Sequence, residues 1–233
     1  MSANTLIYLK KIICSALYVV LVFNVVGATC YADNGSQADE VKNPTLRDEL
    51  FKRVERDQEA RQAAIAWEQK YSVDGVFDEG LLSDDEKAAH ASLVSQITEI
   101  DTGNTEWLKE IVAEGGWPTY SEVGIDGGDA AWLLVQHADA DSQFQRKCLE
   151  LMTELPKEEI SQPNLAYLTD RVLLAEGKSQ IYGTQFVRRE GKWIPLRLED
   201  AENVDARRAE VGLPPLAEYA EMFQKVMRGE EID

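Results

Sequence analysis

The sequence predicts a mainly α (α+β) protein: a multi-helix domain with one short β-hairpin near residues 180–196. Three observations carry this. Apolar residues recur at three- and four-residue spacing through most of the stretch 44–228. Capping and stop residues bracket those runs. Only one segment, Gln180-Ile181-Tyr182-Gly183-Thr184-Gln185-Phe186-Val187, has strand composition followed by a tight-turn signal.

The chain has 233 residues and a formal net charge of −18. Its start has the plan of a secretory signal peptide over 1–32. Lys10 and Lys11 precede a run from Ile12 to Val26 that is apolar except for Ser15 and Asn24. Small residues place a cut after Ala28 or after Ala32. The run is shorter than the roughly 20 residues a membrane span needs, so an uncleaved anchor is the lesser alternative. The expected location is periplasmic or extracellular. Removal of the leader leaves about 200 residues, which suits one domain, 44–228, behind a polar lead-in at 33–43. The acidic charge argues against nonspecific binding to nucleic acid or anionic lipid. Cys148 is the one cysteine in the body, with Cys30 near the cut, so neither a disulfide framework nor a cysteine-rich zinc site is expected.

Taken in order, Thr45 reads as the cap of a long helix to about Tyr71, with Leu46, Leu50, Val54, Ala64 and Trp67 on one stripe. Arg53, Asp57 and Arg61 recur every fourth residue on that helix and share a face, which reads first as a solvated charge stripe. Ser83-Asp84-Asp85-Glu86 matches a capping box for a helix to about Ile100. His90 on this helix reads as an exposed or half-buried structural residue. Asp101-Thr102-Gly103-Asn104 reads as a turn before a helix near 105–113. Residues 118–128 read as a glycine-rich connector, with Asp129 starting a buried helix that ends near His137.

Asp139 or Asp141 can cap the next helix, about 142–154, and Ser161 or Asn164 the one after it, which Gly177 stops. Lys192-Trp193-Ile194 returns from the strand through Glu190-Gly191. Helices near 202–210 and 215–228 close the chain.

The polar residues that break apolar segments mark a candidate site. Gln136, His137 and Asp139 end the most apolar helix. Asp170 and Arg171 interrupt another, and as neighbours they diverge by about 100° on it, so each needs its own partner. Gln185 and Tyr182 lie in the strand segment. The reading assigns His137, Asp139 and Asp170 as catalytic candidates, and Asp57, Arg61, Gln136, Arg171, Tyr182 and Gln185 as ligand-binding candidates.

Gly116-Trp117-Pro118, Gln136-His137-Ala138-Asp139, Ala166-Tyr167-Leu168-Thr169-Asp170-Arg171 and Gln180-x-Tyr182-Gly183-Thr184-Gln185, in this order, resemble an uncharacterised bacterial family of unknown function. Asp57-Gln58-x-x-Arg61 and Asp205-x-Arg207-Arg208 resemble its ends. The likeness covers most of 45–222. It implies no activity; it sharpens the residue list.

The chemistry that suits this set is hydrolysis of a small polar substrate. His137 would be the acid or base, oriented by Asp139 or Asp170, while Arg171 or Arg61 binds an anionic group. No activated serine or cysteine is visible, so the nucleophile would be water. The pattern calls for no cofactor. It also assigns no metal: there are two histidines in the chain, and the helix is expected to break between His137 and Asp141. The alternatives are a non-catalytic periplasmic module that binds a small ligand or a protein, and a purely structural polar network.

Overall fold

The computed structural model describes residues 41–73, 77–189 and 192–227. The leader, most of the lead-in and the Glu190-Gly191 turn lie outside them. Among the described residues, seven α-helices and one two-stranded antiparallel sheet follow in order: α1 (Pro44–Lys70), α2 (Asp84–Gly115), α3 (Tyr120–Gln136), α4 (Ser142–Thr153), α5 (Gln162–Ala175), β1 (Phe186–Arg189), β2 (Lys192–Pro195), α6 (Val204–Glu210) and α7 (Leu216–Met227). The expectation of a mainly helical protein with a small hairpin holds. Among the described residues no helix is long and apolar enough to cross a membrane.

Helix α1 packs against α2 and α3, α4 against α5, and α7 against β2. The central α3 is buried along Ala130, Ala131, Trp132, Leu134 and Val135. A chain of aromatic contacts joins it to the C-terminal elements. Trp132 meets Tyr167 edge-on with centroids 6.2 Å apart, Tyr167 meets Tyr219 at 6.0 Å, and Phe186 stacks on Phe223 at 4.9 Å. Such pairs add to the burial of large apolar surfaces.

Several boundaries differ from the expectation, each for a local reason. Asn43, not Thr45, caps α1 by accepting from Leu46 N–H. The capping box of Ser83 and Glu86 forms, but α2 runs unbroken through the expected turn at 101–104. There the short polar side chains bond back to the helix: Thr102 Oγ1 donates to the Thr98 carbonyl at 2.7 Å, and Thr105 Oγ1 to the Asp101 carbonyl at 2.7 Å. The stripe Ile97, Ile100, Leu108 and Val112 is buried along the same face, and that packing outweighs the turn propensity.

The connector 118–128 is also largely helical. Thr119 and Glu122 form a capping box, and α3 bends at Gly124, whose φ of +80° favours glycine. Gly128 is a site of close approach: a Cβ there would lie 2.6 Å from the Tyr120 ring. The expected strand 180–187 is confined to its last part. The amides of Ile181, Tyr182 and Thr184 turn to the Asp170 carboxylate and are not available to a ladder.

Candidate functional site

Asp57 and Arg61 stand one turn apart on the buried face of α1, which corrects the reading of a solvated stripe; they are 1% and 3% exposed. Arg61 Nε donates to Asp57 Oδ1 at 3.1 Å, and Arg61 Nη2 donates to Asp101 Oδ1 on α2. Gln58 Nε2 donates to Asp57 Oδ2 at 2.7 Å. His137, the residue that ends α3, places Nδ1 3.1 Å from Asp57 Oδ1. Its Nε2 is buried with no hydrogen-bond partner among the described residues.

Burial and the nearby Arg61 charge hold the His137 ring below the ordinary histidine range, against the pull of Asp57. The ring is therefore neutral near pH 7. Burial by itself would raise Asp57, but His137, Arg61 and Gln58 together hold it well below the usual carboxylate range. An ionised Asp57 can only accept, so the contact fixes the proton on His137 Nδ1 and leaves Nε2 with its lone pair.

A pocket of about 260 Å³ adjoins this group, lined among others by Arg61, Asp101, His137, Asp139, Asp141 and Lys109. Its rim holds the ion pair of Lys109 with Asp141 at 2.7 Å. Asp139 is held from behind: Arg171 grips it through Nε at 2.9 Å and Nη2 at 3.0 Å. Arg171 Nη1 then donates to Gln185 Oε1 at 3.1 Å. Gln145 Nε2 donates at 3.2 Å to Asp139 and to the carbonyls of Val135 and Gln136, which satisfies the end of α3. Two-point Arg–carboxylate pairing is directional, so it fixes the turn that carries His137.

The structure thus joins His137, Asp57 and Arg61 directly, and Asp139, Arg171 and Gln185 through the same turn. Asp170 and Tyr182 belong to a different cluster. Asp170 accepts from the amides of Ile181, Tyr182 and Thr184 and from Thr184 Oγ1 at 2.7–3.0 Å, clamping the loop that presents Gln185. The Tyr182 carbonyl accepts from Arg208 Nη1. As expected, Asp170 and Arg171 take separate partners. Gln136 is buried beside His137, and its Oε1 has no partner among the described residues. Arg61 and Arg171 are both matched by carboxylates, so neither presents a free charge for an anionic group.

The sequence reading did not single out Asp101, Gln145 or the second buried pair, His90 Nε2 with Glu68 Oε1 at 2.9 Å. His90 is 8% exposed and stacks on Trp67, where the sequence suggested an exposed or half-buried position. The signal for Asp101 was available: the apolar stripe keeps helical spacing from Ile97 to Leu108 across it. Cys148 is fully buried, and burial pushes its thiol up to about 12, so it is no nucleophile.

Ligand atoms of Asp57, Asp101 and His137 lie within 4.8 Å of one another, a set with the chemistry to hold a divalent cation. The Arg61 guanidinium already bridges both carboxylates, however, and a metal ion would have to displace it.

No curated protein and no solved structure matches the chain. One family profile does, over residues 44–229, a span that includes the motifs noted above. Since that is most of the chain, this protein belongs to DUF6624, a family of unknown function.

Proposed function

We propose that this protein is an exported hydrolase that acts on a small polar substrate, with water as the nucleophile and His137 as general base. The observation that carries this reading is the pairing of Asp57 with His137 Nδ1 at 3.1 Å, beside a pocket that His137 lines. A neutral imidazole with an unshared Nε2 lone pair, its tautomer set by a carboxylate, is the arrangement that general-base catalysis uses. Asp139, Arg171 and Gln185 position the His137 turn. Asp170, with Tyr182 in the loop it clamps, keeps Gln185 in place. The saturated arginines favour a neutral polar substrate over an anionic one. The leader supports export, and the N-terminal residue of the secreted chain, read by mass spectrometry, would be Thr29 or Asp33.

The test is turnover of a panel of small esters and amides by the wild type and by His137→Gln, with folding followed by circular dichroism. General-base catalysis predicts a loss of about 100-fold or more in the folded variant. Binding that survives without any turnover would assign the pocket to a non-catalytic binding module. Equal turnover by both proteins would remove His137 from the chemistry.

A further inference from the structure

A base needs an acid wherever the leaving group is poor, and the site holds a carboxyl group suited to that task. Asp57 and Asp101 come from different helices and share Arg61, so one guanidinium faces two carboxyl groups. Asp57 has further donors in Gln58 and His137, and its side chain is 1% exposed. Among the described residues Asp101 has Arg61 alone as its cationic partner; it is 22% exposed and lines the pocket with His137. Two neighbouring carboxylates and one matching cation favour retention of a proton, and the proton goes to the member with fewer donors.

We propose that Asp101 holds a proton at neutral pH and delivers it to the leaving group of an amide or unactivated ester in the pocket. The inference rests on the hydrolase reading above and names its acid and its substrate class. Burial, opposed by Arg61 and reinforced by the Asp57 charge, pushes the Asp101 carboxyl up to about 7. The lowered His137 and the raised Asp101 have the protonation states that a base and an acid need near neutral pH.

The surrounding charges narrow the substrate. Besides Arg61, the lining cation is Lys109, and it is paired with Glu106 and Asp141. Asp139 is paired with Arg171. A phosphate or sulfate ester therefore meets no free cation among these groups. Asp57 does not line the pocket, and the other lining carboxylates are engaged by cations, Asp139 by Arg171 and both Glu106 and Asp141 by Lys109, which disfavours a second free carboxylate opposite Asp101 on a glycosidic bond. A neutral acyl compound remains. Nε2 is covered in the resting structure, so a pocket water reaches it once the wall beside His137 opens; that water gives a proton to His137 Nε2 as its oxygen bonds to the acyl carbon. The bond from that carbon to the leaving nitrogen or oxygen breaks, and the leaving atom takes the Asp101 proton. The products are a carboxylic acid and an amine or alcohol, and the proton on His137 returns to Asp101 through solvent.

Two measurements on the full chain test this. Carbon-13 NMR titration of the Asp101 carboxyl, assigned with Asp101→Asn, should show a midpoint near 7; a midpoint below about 5, close to an ordinary aspartate, overturns the proposal whatever the fate of the hydrolase reading. The second measurement compares short-chain p-nitrophenyl esters with the corresponding alkyl esters and amides. Asp101→Asn should lose about 100-fold or more on the poor leaving groups and under about tenfold on p-nitrophenolate, which departs without a proton. Equal losses, or no turnover of any acyl substrate by the wild type, overturn the acid assignment. His137→Gln should lose both activities, and its failure to do so would sink the hydrolase reading separately. An asparagine mimics the neutral carboxyl in shape, so this variant retains the packing.

Discussion

His137 and Asp57 are 80 positions apart in the chain, and Nδ1 of one meets Oδ1 of the other at 3.1 Å. The contact ties the end of α3 to the middle of α1. Asp57→Ala removes the partner of His137 Nδ1 and one of the two carboxylates on Arg61, whose 3% exposed guanidinium keeps Asp101. The buried Nδ1–H of His137 is left without its acceptor, and the expected loss is about 1–3 kcal/mol in urea unfolding. Because the folded Asp57 pKa lies below its unfolded value of about 3.9, its contribution is present above that pH and fades as pH falls through the folded value. The acid limb of the wild-type stability curve should therefore be weaker in the variant.

Asp101 has the opposite sign. Its folded pKa is raised to about 7, above an unfolded value of about 3.9, so its favourable contribution is full below pH 4 and is lost as pH rises toward 7. Asp101→Asn should gain stability relative to the wild type across that window, by up to about 1.4 kcal/mol per pH unit. Unfolding curves at pH 4, 5.5 and 7 check this; a difference constant with pH would refute it.

The loop 181–184 depends on one carboxylate. Asp170→Ala leaves the amides of Ile181, Tyr182 and Thr184 without their acceptor. At about 1–3 kcal/mol for each buried group left unsatisfied, the loss should reach about 3 kcal/mol or more. Hydrogen exchange at these three amides should accelerate more than exchange in α1.

Two helical glycines should respond in opposite directions. A Cβ at Gly103 meets nothing within 4 Å, so Gly103→Ala should stabilise by about 0.5–1 kcal/mol. At Gly128 the Cβ would lie 2.6 Å from the Tyr120 ring, and Gly128→Ala should cost about 1–3 kcal/mol. Thermal unfolding of the two variants gives the signs.

The same residues show what was legible in the sequence. Helical periodicity and caps such as Ser83 and Asp141 are local signals, and they located most helices. The isolation of Asp170 from Arg171 followed from helix geometry alone. Continuity of α2 through 101–104 did not, because Asp101, Gly103 and Asn104 carry turn propensity and the decision was made by packing against α1. Helix α3 was read as starting at Asp129 because the fit of Gly128 against Tyr120 is a tertiary fact. For the same reason Asp101 was taken for a turn residue. His137, Arg171 and Gln185 stood out as polar residues in apolar runs, whereas Asp57 and Arg61 looked solvated until α3 was placed over them.

The central claim is that Asp57 holds His137 as a neutral ring protonated on Nδ1, with the Nε2 lone pair left for chemistry. Nitrogen-15 NMR of the labelled His137 ring tests it most directly. The account predicts a protonated Nδ1 and an unprotonated Nε2 at pH 7, with the neutral form persisting to lower pH than an ordinary histidine allows. A ring protonated on Nε2, or an imidazolium at pH 7, would contradict it.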